Sequence, residues 1–194
     1  MQPRSLSESW EAVRNWYSTR APEGEIELNQ GVTDDEWNEV ECQLGFGLPE
    51  DVKLSYRLHD GSQERGIFEF GSYLMSLHEA FGHWQNWRDV LATGEFSGLV
   101  TCPEGPIKPE VWRREWFPIT HSGAGDHHCI DMAPAEGGTL GQVIFVSHEE
   151  GPKFVESSSM AEWLSSFATE LQDGVFEYDS CLLYTSPSPR DRNV

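Results

Sequence analysis

The sequence predicts a single domain that mixes helices with a central set of short strands, and three observations carry that reading. Helix-opening signatures, a Ser or Thr followed three residues later by Glu, occur at Ser5, Thr33, Ser76 and Ser159, so helices lie on both flanks. Between the third and fourth, Trp116 to Ser147 reads as three short strands joined by two glycine-rich connections. A length of 194 residues, 38% apolar and 12% aromatic with eight Trp, suffices for one core and suits one domain.

In the first helix Trp10, Val13, Trp16 and Tyr17 share a face. The second places Trp37, Val40 and Leu44 at i, i+3 and i+7, and Gly45 can close it in the left-handed conformation. In LPEDVKLSYRLHDG, Pro49 suits a helical first turn and Glu50 and Asp51 its positive end. His59 suits the C-cap and Gly61 can close the segment. Ile67 to Phe70 reads as a short strand. The helix opened by Ser76 carries Leu77, Phe81, Trp84 and Leu91. The last carries Met160, Trp163, Leu164, Phe167 and Leu171. These aromatic stripes read as core rather than as walls of a ligand groove. Gly94 to Arg114, with three prolines, three glycines and no sustained period, reads as a long surface loop, the kind of segment that often carries function.

The three strands are Trp116–Ile119, His128–Met132 and Gln142–Val146. The middle one alternates, with Ile130 and Met132 on one face and Cys129 and Asp131 on the other. Trp116 and Pro118 are expected to hold the sheet edge, and Ile130 and Val143 to fill the core beneath the helices.

Charge sorts the function classes. Thirteen basic residues against 33 acidic give a net −20. Such a field repels phosphate backbones and anionic membranes and attracts a basic protein partner. The four cysteines, Cys42, Cys102, Cys129 and Cys181, form no CxxC pair and read as reduced intracellular thiols. The N-terminal stretch lacks a signal-peptide apolar region, and no run approaches the ~18 apolar residues of a spanning helix. A cytoplasmic location is therefore expected.

Composition changes abruptly at Cys181. The stretch CLLYTSPSPRD back-translates, codon for codon, into the transposon-end adaptor of sequencing libraries, so residues 181–194 are expected to be a translated adaptor without a fold of their own. Leaving out its two arginines and Asp191 changes the net charge only to −21.

Few residues invite chemistry. Asp126-His127-His128-Cys129 and Asp131 gather metal-ligand types, and strand geometry puts His127, Cys129 and Asp131 on one face, the set a metal-dependent hydrolase would use. His59-Asp60 could orient a base, but no GxSxG accompanies it. Cys129 beside His128 is poor nucleophile geometry, because adjacent strand residues point oppositely. Gly123-Ala124-Gly125 is too short for a phosphate loop and no Lys follows.

Two blocks in order resemble the Smi/Knr family of cell-wall-assembly regulators, within the SUKH superfamily. The first runs from Leu48-Pro49-Glu50-Asp51 to His59-Asp60-Gly61, similar to the family's LPxDY…HNG pattern with Asp60 where Asn is common. The second comprises Trp116-Phe117-Pro118-Ile119, Gly125-Asp126, Cys129-Ile130-Asp131-Met132 and Gly141-Gln142-Val143-Ile144, followed by Ala161-Glu162-Trp163-Leu164. The resemblance covers roughly residues 32–171, and nothing in it matches Gly94 to Arg114. It implies an α+β fold, with N- and C-terminal helices packed on a mainly antiparallel sheet. The chain then divides into an N-terminal helical extension (1–31), the Smi/Knr-like domain (32–180) and the adaptor (181–194). It also implies a non-enzymatic protein-binding module: toxin immunity in bacteria, a signalling scaffold linked to glucan synthesis in fungi. No catalytic residue and no cofactor carries over. The motif residues Leu48, Pro49, Asp51, Asp60, Gly61, Trp116, Pro118, Gly125, Asp126, Asp131 and Gly141 are expected to shape the fold or the binding surface. The expected partner is a protein, attracted to the acidic surface and to the Gly94–Arg114 loop.

Overall fold

The structure is a computed structural model that describes residues 4–21, 27–62, 66–68, 71–179 and 184–187. Within these the fold is α+β, with five helices and antiparallel ladders. Helices α1 (Leu6–Ser18), α2 (Asp34–Leu44), α3 (Glu50–Leu58) and α4 (Leu77–Ala92) precede the main sheet, and α5 (Met160–Asp173) follows it. The capping boxes at Ser5/Glu8, Thr33/Glu36 and Ser76/Glu79 are complete in both directions. At the fourth start Ser159 accepts from the Glu162 N–H, but the Glu162 carboxylate turns to Ser157 and Ser158 instead of closing the box. Gly45 ends α2 at φ 78°, the left-handed cap its lack of a Cβ allows.

A short pair joins β1 (Tyr73–Leu74) to β3 (Thr120–His121). The main sheet contains β2 (Trp116–Pro118), β4 (His127–Asp131), β5 (Gln142–Ser147) and β6 (Gly151–Ser157), in the order β2-β4-β5-β6. β2 is an edge, as expected for Trp116 and Pro118. Register places Asp131 opposite both Trp116 and Gln142, and Cys129 opposite Pro118 and Ile144. β7 (Phe176–Asp179) pairs with β8 (Tyr184–Pro187). Of the stretch expected to be a translated adaptor, only 184–187 belong to the described residues; 180–183 and 188–194 lie outside them.

The strand period of two sends neighbouring side chains to opposite faces. Phe117, Ile130 and Val143 join one large cluster with Trp10, Trp37, Tyr56, Phe68, Leu164 and Leu171, under the helices. Helix α1 belongs to this cluster: the Trp10 indole N–H donates to Ser55 Oγ at 2.9 Å, and the Tyr17 hydroxyl to the Ile67 carbonyl at 2.6 Å. The other face carries Trp116, Cys129, Ile144 and Val146, covered by Ile107, Trp112, Trp87 and Leu91.

Three expectations change. Ile67 and Phe68 are buried outside any ladder, at a turn where Phe68 N–H donates to the Ser72 carbonyl; Glu69 and Phe70 lie outside the described residues. The Gly94–Arg114 segment is a strap rather than a surface loop. Ile107 and Trp112 anchor it in the second core, and Glu104 bridges Phe154 on the β6 edge. Finally, β6 is a strand the sequence reading did not name. Its mixed, half-exposed residues and two register shifts against β5 mask any alternation.

Candidate functional site

The motif residues fasten separate parts of the chain. Leu48 packs against the main core and its N–H donates to Glu41 Oε1. Pro49 lies against Gly141, where a Cβ would stand 2.5 Å from Pro49 Cγ; φ is 85°, so only glycine sits there without strain. Asp51, expected to complement its own helix, sends Oδ2 to the Ala161 N–H at 3.0 Å and so caps α5. Asp60 acts similarly on α4, with Oδ1 accepting from Leu77 N at 2.6 Å. Gly61 faces Met75 and Ser76 so closely that a Cβ would lie 2.5 Å from Ser76 N. His59 holds the α3 C-cap position, but burial lowers its pKa and works against a charged cap.

Asp126 ties the start of β4 to the β5–β6 turn. Its Oδ1 accepts from the backbone N–H and the Nδ1 of His148, both at 2.9 Å, and these bonds hold its carboxyl low although burial alone would raise it. Gly125 makes room for the His148 ring. Pro118 is buried opposite Cys129. Asp131 is fully buried and takes three donors: Trp116 Nε1 (3.1 Å), Gln142 Nε2 (3.0 Å) and Ala133 N (2.9 Å). Burial pushes its carboxyl up against the pull of these bonds. Gln142 also donates to the Pro106 carbonyl, which joins the clamp to the strap.

His127, Cys129 and Asp131 do share one face of β4, yet they do not converge. Alternate strand residues stand roughly 6.6 Å apart, which spreads the trio along the strand. Each is also engaged or quenched. His127 Nδ1 bonds the Thr120 carbonyl at 2.7 Å, leaving Nε2 to accept from Trp87 Nε1 at 3.3 Å, and burial lowers its pKa to about 3. Burial raises the Cys129 thiol well above its ordinary value, so the thiolate is disfavoured. His83, His121 and His127 bring their rings within 4.8–5.3 Å of one another, but among the described residues no three His, Cys, Asp or Glu are arranged to hold a metal ion.

Sequence reasoning missed Gln142 and Trp112. Gln142 could have been found from register, as the residue opposite Asp131. Trp112 stacks on Trp87 at 4.4 Å, and a Trp in a Pro- and Gly-rich segment signals an anchor. Facing outward are many of the acidic side chains and the apolar tip of the strap, Leu99 and Val100, 55% and 75% exposed. Among the described residues no helix is long and apolar enough to cross a membrane.

The family profile of SMI1 / KNR4 (SUKH-1) matches residues 31–166. Similar proteins include the "Cell wall biosynthesis/cell cycle regulator smi1" of Schizosaccharomyces pombe, 28% identical over 98% of this chain and 41% of its own. The "Glucan synthesis regulatory protein" of Neurospora crassa is 26% identical, over 87% and 39%. The "Cell wall assembly regulator SMI1" of Saccharomyces cerevisiae is 25% identical, over 86% and 40%. The chain thus spans about two fifths of the length of the curated relatives it matches.

Proposed function

This chain belongs to the SMI1 / KNR4 family (SUKH-1), and we propose that it is a protein-binding regulatory module of cell-wall synthesis rather than an enzyme. One observation carries the reading: the motif's own candidates for chemistry, His127, Asp131, Asp51 and Asp60, are used up in holding the fold. His127 is locked between Thr120 and Trp87, Asp131 between Trp116, Gln142 and Ala133, and Asp51 and Asp60 cap helices. Outward, among the described residues, lie charge and a few apolar side chains, among them Leu99 and Val100 at the strap tip and Leu140. The net −20 favours a basic protein partner over nucleic acid, and the free, exposed Cys42 and Cys102 favour a reducing, cytoplasmic setting. The fungal relatives' names support cell-wall and glucan-synthesis regulation as the process in which it serves as scaffold.

The test is made in the cell of origin. Deleting the gene should alter wall glucan, and the chain should bind a basic partner whose association rate falls several-fold from low to high salt. Turnover of a defined substrate by pure protein, abolished by one side-chain change, overturns the reading.

A further inference from the structure

Helices α2 and α4 leave an open groove of about 610 Å³ between them. Its floor is apolar, formed by Val40, Leu77 and Phe81, and its rim is acidic, with Glu36 and Glu39 on α2 and Asp60 at the start of α4. Gly82 lines the same groove from the middle of α4, and a Cβ built there would meet nothing within 4 Å. Glycine inside a helix weakens it relative to alanine, so its presence calls for a reason. No left-handed φ requires it, and no packed neighbour needs the space. The room it leaves faces outward. At the rim, burial raises the Asp60 carboxyl against the pull of the Leu77 N–H; the charges of Glu36 and Glu79 add to the rise and His78 opposes it, and an arriving cation would relieve the repulsion among the carboxylates.

We infer that this groove receives a basic amphipathic helix of a partner protein, its apolar ridge on Val40, Leu77 and Phe81 and its Lys or Arg side chains against Glu36 and Glu39. A helix is the fitting occupant because the groove is walled by two helices, whose ridges accept a third, and neither offers a strand edge to an extended peptide. Gly82 marks the point of closest approach. The inference rests on the reading of the chain as a protein-binding module, and adds where the contact is made and with what chemistry.

The probe is an end-capped fourteen-residue helical peptide with leucine at the a and d positions and lysine elsewhere; a second peptide carries glutamate in place of lysine. Titrated into the full chain labelled with nitrogen-15, the lysine peptide should shift amides of Glu36–Gln43 and His78–Gln85 first. Gly82→Leu fills the groove and should weaken binding at least tenfold. Gly82→Ala should weaken it less and raise the melting temperature, which separates blocked docking from unfolding. Three results overturn the inference: shifts scattered over the whole acidic surface, affinity unchanged by Gly82→Leu, or equal binding of the glutamate peptide. A native partner that binds wild type and Gly82→Leu alike would overturn the groove while leaving the protein-binding reading intact. Failure of that reading would show instead as substrate turnover.

Discussion

The two faces of the four-stranded sheet are covered by different means. On the helix face, Phe117, Ile130 and Val143 meet regular helices whose aromatic stripes supply a broad apolar layer. On the other face an irregular strap is held by two apolar anchors, Ile107 and Trp112, and by a polar clamp of Asp131, Trp116, Gln142 and the Pro106 carbonyl. Periodic burial needs no particular partner, so that face tolerates substitution that keeps volume. The clamp needs each donor and acceptor in place, because a buried polar group left unpaired costs more than its bond contributes.

The largest expected effect tests whether the strap face is structural or a mere cover. Trp116→Ala should cost ~3–5 kcal/mol, a Tm fall of roughly 6–20 °C. Ile130→Ala, on the helix face, should cost ~2–5 kcal/mol. Urea denaturation of both variants checks it, and a much smaller loss for Trp116 would make the strap an optional cover.

Acid should weaken the two faces together. His127 and His128 are neighbours pointing to opposite faces, both buried, with pKa values lowered to about 3 and about 4 by burial. A histidine lowered in the fold stabilises it fully above its ordinary pKa of ~6.5, and that contribution drains as pH falls toward the folded value. Each should cost ~2 kcal/mol at pH 5 relative to pH 7. His127→Gln and His128→Gln should each flatten the pH dependence by about one proton; a slope unchanged by either would mean the imidazoles titrate normally.

Gly141→Ala should cost about 1–3 kcal/mol, since φ is 85° and the new Cβ meets Pro49. Thermal melting checks it, and Pro49→Ala in the same chain should recover part of the loss. The smallest effect sharpens the contrast inside the strap itself. Leu99→Ser with Val100→Ser at the exposed tip should change stability by no more than ~0.5 kcal/mol, whereas Ile107→Ala should cost ~2–5 kcal/mol.

The same division explains what the sequence made legible. Capping chemistry is local, so Ser5/Glu8, Thr33/Glu36 and Ser76/Glu79 could be read directly and all three boxes formed. The existence of β2, β4 and β5 and the inward Ile130 and Val143 were legible in the residue pattern, whereas their pairing order was not. The strap could not be read this way, because Ile107 and Trp112 stand five residues apart in irregular chain and their partners come from α4 and the sheet. The hydrolase trio was legible as a shared face but misleading as a ligand set: period two aligns side chains without bringing their tips together. Asp51 stands in the first turn of α3 as expected, but its second bond, to α5, was not legible, since nothing local links it to a residue 110 positions later.

That last bond sets a schedule for synthesis. The Leu48–Asp51 segment touches Gly141 and Ala161, so α1 to α3 leave the ribosome long before the pieces that fasten them exist. At a translation speed of roughly 5–20 residues per second, the 110 residues between Asp51 and Ala161 take on the order of 5–20 s to make. During that interval the cluster around Trp10, Trp16, Trp37 and Tyr56 lacks the β-sheet and α5 residues that complete it.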